Sequence, residues 1–311
     1  MRILFVADWW PTGMGRWLAE GFEEAGHYVI RAGRLNRGHW GVDWESYPAV
    51  DLPLPFGEPI DLAALVAQTQ ADLVIIWVLP ETRLSSVSKT PIVTFVGDGW
   101  PAIYAAAEAI PAVARFTAMP FGVREHPDDA FSRGWKLCSG AAKWESRNSG
   151  PRPIDACMLG GAYPERMALA HALVDAGLIP VVGQRNVEGY VDTLSASLAL
   201  VAHTCRQSYI PWRVFEAMGL GAVAVIDTDA RTEFQFGLLG LRAGEHYVTV
   251  PKAADGFPDR AAVIETLKRL RADGSGTGRI VRAARAAVLT RHTYRHRAEM
   301  MLAAAGFGSS S

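Results

Sequence analysis

Cysteine is scarce in this 311-residue chain, and what there is does not pair. Cys138, Cys157 and Cys205 are an odd number with no C-x-x-C spacing, which argues against a disulfide framework or a zinc site and for a reducing cytoplasm. Net charge is equally scarce, at −1, so no global field would gather polynucleotide or an anionic membrane; local basic faces are left open. No apolar run approaches the roughly 20 residues of a membrane-spanning helix. The first residues do not read as a signal peptide either. Their short apolar run ends in Asp8-Trp9-Trp10-Pro11, where a cleavage region would have to lie, and a buried first strand explains them better. The expectation is a cytoplasmic protein without a membrane span.

What the chain does hold is globular. Half its residues are hydrophobic and 20% are charged, a balance that at this length supplies two cores of ordinary size. Strand and helix patterns alternate from the start. Residues 3–7 are a continuous apolar run, as expected of a strand covered on both faces. A loop with Gly13 and Gly15 follows, then a helical pattern over 16–25 that stops at Gly26. Strands are expected at 27–32, 72–78 and 91–96, and a helix at 62–70. The pattern restarts after the polar stretch 146–153, read as a linker because it carries Pro and Gly. Beyond it, strands are expected at 154–159, 179–182, 198–203 and 222–227, with helices at 164–176, 212–219, 261–271 and, in two pieces, 278–305. Such a β-α-β series predicts parallel sheets with right-handed crossovers. The expected fold is therefore α/β: two facing, Rossmann-like doubly wound domains, residues 1–150 and 151–290, then 291–311 as a terminal helix with a frayed tail.

Ligands of such sheets sit beyond the carboxyl ends of the strands. Position alone then marks Asp8, Gly13, Gly15, Asp98, Gly160, Gly161, Arg185 and the stretch 203–208, which includes Arg206 and Ser208. Gly160-Gly161 follows a strand and opens a helix, where free N–H groups and a partial positive charge suit a diphosphate. A tight turn with no ligand would explain the pair as well, since the G-x-G-x-x-G fingerprint and a Walker lysine are both missing. In Pro211-Trp212-Arg213-Val214-Phe215-Glu216, a proline starts a helix and places Arg213 and Glu216 three apart on one face. A surface ion pair is the plain alternative. Asp227-Thr228-Asp229 has the form of a metal-binding D-x-D, but after a strand it reads better as a turn or a helix cap. The arginines at 279, 282, 285, 291, 295 and 297 read as a solvated helix face, with phosphate-backbone contact as the alternative.

Three ordered blocks carry a family resemblance. The stretch 213–221, with its Arg-x-Phe-Glu-Ala and following glycines, resembles the R-x-F-E-A block of GT-B glycosyltransferases, in particular their spore-maturation-protein (CgeB-type) branch. Asp155 to Arg166, with Gly160-Gly161 inside it, resembles the start of that branch's second domain. Arg291-His292-Thr293-Tyr294-Arg295-His296-Arg297 resembles its terminal signature. The likeness covers roughly 152–302 well and the first half only in outline.

The resemblance implies a GT-B architecture and transfer of a sugar from a nucleotide-diphosphate sugar, a UDP-sugar first among them, to an acceptor hydroxyl. Glu216 would accept the ribose hydroxyls, and Arg213 of the motif, the Gly160-Gly161 helix start and, on strand-end position alone, Arg185 and Arg206 would hold the diphosphate in place of a metal. Ser208 stands where many retaining members carry a second glutamate, so the stereochemical course is not implied. The acceptor would lie on the first domain, with Asp98 or Asp8 as general base; a helix cap is the plain alternative for each. Tryptophan is abundant at ten, and the loop positions Trp9, Trp10 and Trp100 suit the apolar face of a sugar or base. Trp17 and Trp77 read as core. The acceptor could be glycan, small metabolite, protein or nucleic acid. The same architecture would also serve a nucleotide-sugar epimerase or phosphorylase, or a non-catalytic nucleotide-sugar-binding protein.

Overall fold

A computed structural model describes residues 1–9, 14–35, 50–55, 58–97, 101–118, 134–138, 140–144, 150, 152–161, 163–183, 187–204 and 209–308, with backbone alone at 34, 35, 101 and 187. The chain divides into two units, Met1–Ser139 with Tyr294–Ser311, and Gly140–Thr293.

The first unit runs β1 (Arg2–Trp9), α1 (Met14–Glu24), β2 (Tyr28–Leu35), β3 (Leu52–Pro53), β4 (Ile60–Asp61), α2 (Leu62–Thr69), β5 (Leu73–Trp77), β6 (Leu84–Ser86), β7 (Ile92–Val96), α3 (Pro101–Glu108), β8 (Ala114–Thr117) and β9 (Lys136–Leu137). Its main sheet is parallel, in the order β3-β2-β1-β5-β7-β8-β9. The apolar runs noted above explain the topology. Leu4, Val6, Val74, Ile76 and Ile92 bury one sheet face with Ile103 and Tyr104 of α3. On the other face Phe5 meets Trp9 and Phe22 edge-on. A strand buried on both faces has no polar side to show, hence the unbroken hydrophobic spelling. The strand order reverses between β1 and β5, so this unit's crevice lies at the carboxyl ends of those two strands.

The second unit runs β10 (Ile154–Leu159), α4 (Pro164–Asp175), β11 (Pro180–Gly183), α5 (Val187–Ala196), β12 (Ser197–Ala202), α6 (Arg213–Gly219), β13 (Val223–Asp227), α7 (Ala230–Leu238), β14 (Val248–Val250), α8 (Arg260–Ala272) and α9 (Gly274–Arg291). Its parallel sheet has the order β11-β10-β12-β13-β14. Alternate residues of each strand face opposite helix layers. Cys157, Leu159, Leu200 and Ala202 pack with Leu194, Val214, Phe215 and Val288; Ala156, Met158, Ala199 and Val201 pack with Leu169, Leu173, Val263 and Leu267. Here the reversal falls between β10 and β12, at the loops that begin with Gly160 and His203.

The polar stretch 146–153 is not where the chain divides. Residues 140–144 already belong to the second unit: Ala142 N–H donates to His292 O at 2.7 Å, and Trp144 lies against Tyr190 at 6.0 Å between ring centroids. Arg152 is fixed as well. Its guanidinium donates to Ser197 O at 2.7 Å and to Leu220 O at 2.9 Å, tying the start of β12 to the end of α6. The second unit ends at Thr293, and the last helix, α10 (Tyr294–Ala304), packs on α1 of the first unit.

That packing is close enough to require a glycine. A Cβ on Gly21 would sit 2.4 Å from Tyr294 O and 2.5 Å from its carbonyl carbon. Backbone cannot swing away as a side chain can. Gly21→Ala would gain about 1 kcal/mol of helix propensity but suffer overpacking of about 1–3 kcal/mol. The expected net result is a lower melting temperature for the full chain, measured by thermal denaturation. An unchanged or raised value would show that α10 yields at this contact.

Candidate active site

The described part of the site is built on three pieces that meet at the carboxyl end of the second sheet. Leu159 ends β10, and Gly160 follows with φ +116°, a conformation that suits glycine. Two guanidinium groups close on this glycine. A Cβ there would lie 2.6 Å from Arg213 Nη1 and 3.0 Å from Arg166 Nη1. Arg213 reaches in from α6 and donates to Leu159 O. Arg166, in the first turn of α4, donates to Gly161 O at 2.7 Å and lies over the Tyr163 ring at 5.2 Å. The α4 amino terminus carries Pro164 at its first position, and the N-cap, Tyr163, makes no side-chain cap bond. Free helix N–H groups and two cations therefore meet at one point, an arrangement that binds phosphate well.

Glu216 is the second piece. It is 3% exposed, and the Tyr190 hydroxyl of α5 donates to its Oε2 at 2.5 Å. Burial pushes its pKa up to about 7, opposed by the Tyr190 hydrogen bond and then by the Arg213 charge. The surface ion pair that the spacing of Arg213 and Glu216 allowed does not describe them: the carboxylate is buried on a phenol, and the guanidinium sits on a carbonyl.

The third piece is the loop after β12. Buried Asp227, at the end of β13, accepts the Thr204 N–H at 2.6 Å, and its Oδ2 lies 3.8 Å from His203 Nδ1. Asp229 accepts from Thr232 N–H at 2.9 Å, capping α7, and pairs with Lys252 at 3.0 Å. Both carboxylates of the D-x-D are thus engaged in fixing a loop and a helix. The His203 ring lies on Phe257 at 4.4 Å and lines a hollow with Met158, Glu165, Arg166 and Arg260.

The structure brings Gly160, Gly161, Arg213 and Glu216 together. Arg185, Arg206 and Ser208 lie outside the described residues, as do Asp98, Gly13, Trp10 and Trp100. Asp8 is half-buried at the end of β1 and lines a hollow with Trp77, Glu58, Glu81 and Arg83. Two expected acceptor contacts are corrected. Trp9 lies in β1 rather than in the loop after it; it is 0% exposed, and its indole N–H donates to Ala32 O at 2.9 Å. Gly15 is a buried residue inside α1, where its missing Cβ leaves room for the Trp77 ring. Two groups at this site had gone unassigned. Arg166 stood inside a quoted block without a role, and Tyr190 carries no motif at all.

Because the folded-state pKa of Glu216 is raised, the folded protein binds more protons than the unfolded chain between about 4.5 and 7. Its burial therefore costs nothing below the unfolded value and is fully felt above pH 7, on the order of 3 kcal/mol. Glu216→Gln should raise the melting temperature of the unliganded chain at pH 8 and change it far less at pH 5. A gain independent of pH would point to some other cause.

The comparisons with known proteins bear on the fold and the family. Residues 149–303 match the family model described as glycosyl transferase-like. No curated protein matches the chain. Among solved structures, an α-glucosyltransferase in complex with UDP and a 13-mer DNA is 10% identical and superposes with a TM-score of 0.62, covering 98% of this chain and 99% of that one. Anabaena HepE in complex with UDP is 12% identical with a TM-score of 0.61 over 97% and 99%. The spinosyn forosaminyltransferase SpnP is 12% identical with a TM-score of 0.55 over 98% and 99%. Likeness at such identities is one of fold. The family match supplies what fold alone does not: residues 149–303 belong to the glycosyl transferase-like family, and the protein is a glycosyltransferase of GT-B architecture.

Proposed function

We propose that the donor is a UDP-sugar seated on the second unit, with Glu216 on the ribose hydroxyls and Arg213, Arg166 and the start of α4 on the diphosphate. The convergence of two guanidinium groups at Gly160, at the point where strand order reverses, carries this reading. A diphosphate leaving group gains negative charge as the glycosidic bond breaks, and fixed cations stabilise that charge without reorganising. In many transferases a divalent metal supplies it; here the arginines would do so, and the reaction would proceed without one. UDP in two of the similar structures supports uridine as the base. The first unit would hold the acceptor at the carboxyl ends of β1 and β5, where Asp8 is placed to take a hydroxyl proton, with Asp98 as the other candidate base. Two α-glucosyltransferases of similar fold are in complex with DNA; among the described residues, no feature of the first unit chooses among glycan, metabolite, protein and nucleic acid.

Incubation with a panel of nucleotide sugars tests the activity. UDP-sugar-dependent transfer or slow donor hydrolysis, unaffected by EDTA, is the expected result, and dependence on added metal would remove the metal-free course. Arg213→Met should weaken UDP binding about 10- to 100-fold, the worth of a charge-assisted phosphate contact. Full affinity in that variant, measured by calorimetry, would take Arg213 out of the site. Asp8→Asn should lower transfer while leaving UDP affinity intact.

A further inference from the structure

We infer that Tyr190 is a positioning residue, whose phenol holds the Glu216 carboxylate in the orientation that receives the donor ribose. The inference rests on the reading of Glu216 given above. A buried glutamate has three rotatable bonds and little reason to hold one arrangement among apolar neighbours. Tyr190 supplies the reason: it donates to Oε2 at 2.5 Å, with Trp144 6.0 Å from its ring. An ionised carboxylate only accepts hydrogen bonds, and with Oε2 engaged, Oε1 remains to take ribose O–H groups.

The charged and titratable groups facing the pair are Arg213, on the same helix as Glu216, and Cys157 of β10. Burial, and then the charge of Glu216, push the Tyr190 phenol well above its ordinary value, so it stays a donor throughout the working range. Donation to the anion favours the ionised carboxylate, the form that accepts from ribose. Without the phenol, the carboxyl group would ionise only at higher pH, and nucleotide binding would follow it.

The test is UDP binding to the full chain by calorimetry from pH 6 to 9. Wild-type affinity should rise as pH passes about 7. In Tyr190→Phe that rise should move upward, costing about tenfold in affinity at pH 7 and little at pH 9. Glu216→Gln should bind weakly with no such rise. A Phe variant with the wild-type profile overturns the inference, and so does one that loses affinity equally at every pH, which is the mark of a packing role. If Glu216→Gln and Glu216→Ala both keep wild-type affinity, the ribose reading itself fails. If they lose it while Tyr190→Phe behaves as wild type, only the role of Tyr190 does. A second measurement needs no change at position 190. The infrared carboxylate bands that disappear in Glu216→Gln should be those of a hydrogen-bonded carboxylate appearing as pH is raised through about 7, and bands of an unbonded carboxylate would overturn the inference.

Discussion

A carboxylate at 3% exposure among the apolar side chains of α5, α6 and β12 has to be compensated where it stands, and the proposed donor site depends on that compensation. Removing a charge from water is expensive unless polar partners replace the lost hydration. Glu216 has one such partner in Tyr190 and a favourable charge in Arg213. Even so, burial outweighs both, and the group titrates near neutrality instead of in the usual carboxylate range. A site of this kind is incomplete on its own account. Hydroxyl groups brought by a ligand would supply the remaining donors, so the strain of burial in the empty protein becomes binding energy in the occupied one.

The phosphate end follows a different logic. Arg213 bonds a neutral carbonyl, which orients the guanidinium without cancelling its charge. A carboxylate in that place would hold it as firmly and neutralise it. The glycine at 160 is the condition for this arrangement, since any side chain there would displace both arginines. Gly160 thus serves the cations as much as it serves a turn, a role its place after a strand does not reveal.

How far the sequence was legible depended on whether the signal was local. Unbroken apolar runs and glycine stops report burial and helix ends within a few residues, so the central strands β1, β2, β5, β7 and β10 to β13 and the helices α1, α2, α4, α6, α8, α9 and α10 could be read with small errors at their ends, whereas the outer strands β3, β8, β9 and β14 and the helices α3, α5 and α7 went unread. Arg213 and Glu216 were legible as a pair because three-residue spacing fixes a shared helix face, but not their partners. Tyr190 lies 26 residues away from Glu216 on another helix, and only tertiary packing brings the two together. Trp9 was misread for the reverse reason: the strand extends past the apolar run, carrying a residue expected in a loop into the core. Arg152 likewise looked like linker chemistry, since charge and neighbouring prolines spell an exposed segment. Three backbone carbonyls, brought together by the fold, make it a half-buried tie.

The terminal block shows the same division between pattern and cause. Arg291 to Arg297 could be recognised, and its chemistry suggested a solvated basic face; Arg291 and Arg295 are exposed as that reading expects, whereas His292, Tyr294 and Arg297 are buried. His292 closes α9, its Nε2 2.9 Å from Leu239 O and its ring beside Phe215, while Thr293 bridges to Ala142. The next residue, Tyr294, is already buried in the first unit, with its carbonyl against Gly21, and Arg297 is 5% exposed. Within a few residues the chain leaves one core and enters another, while Arg291 stays exposed and Arg295 pairs with Glu299 at the surface at 2.8 Å. The pattern of the block thus combines burial at 292, 294 and 297 with solvent at 291 and 295, a division that its composition alone does not reveal.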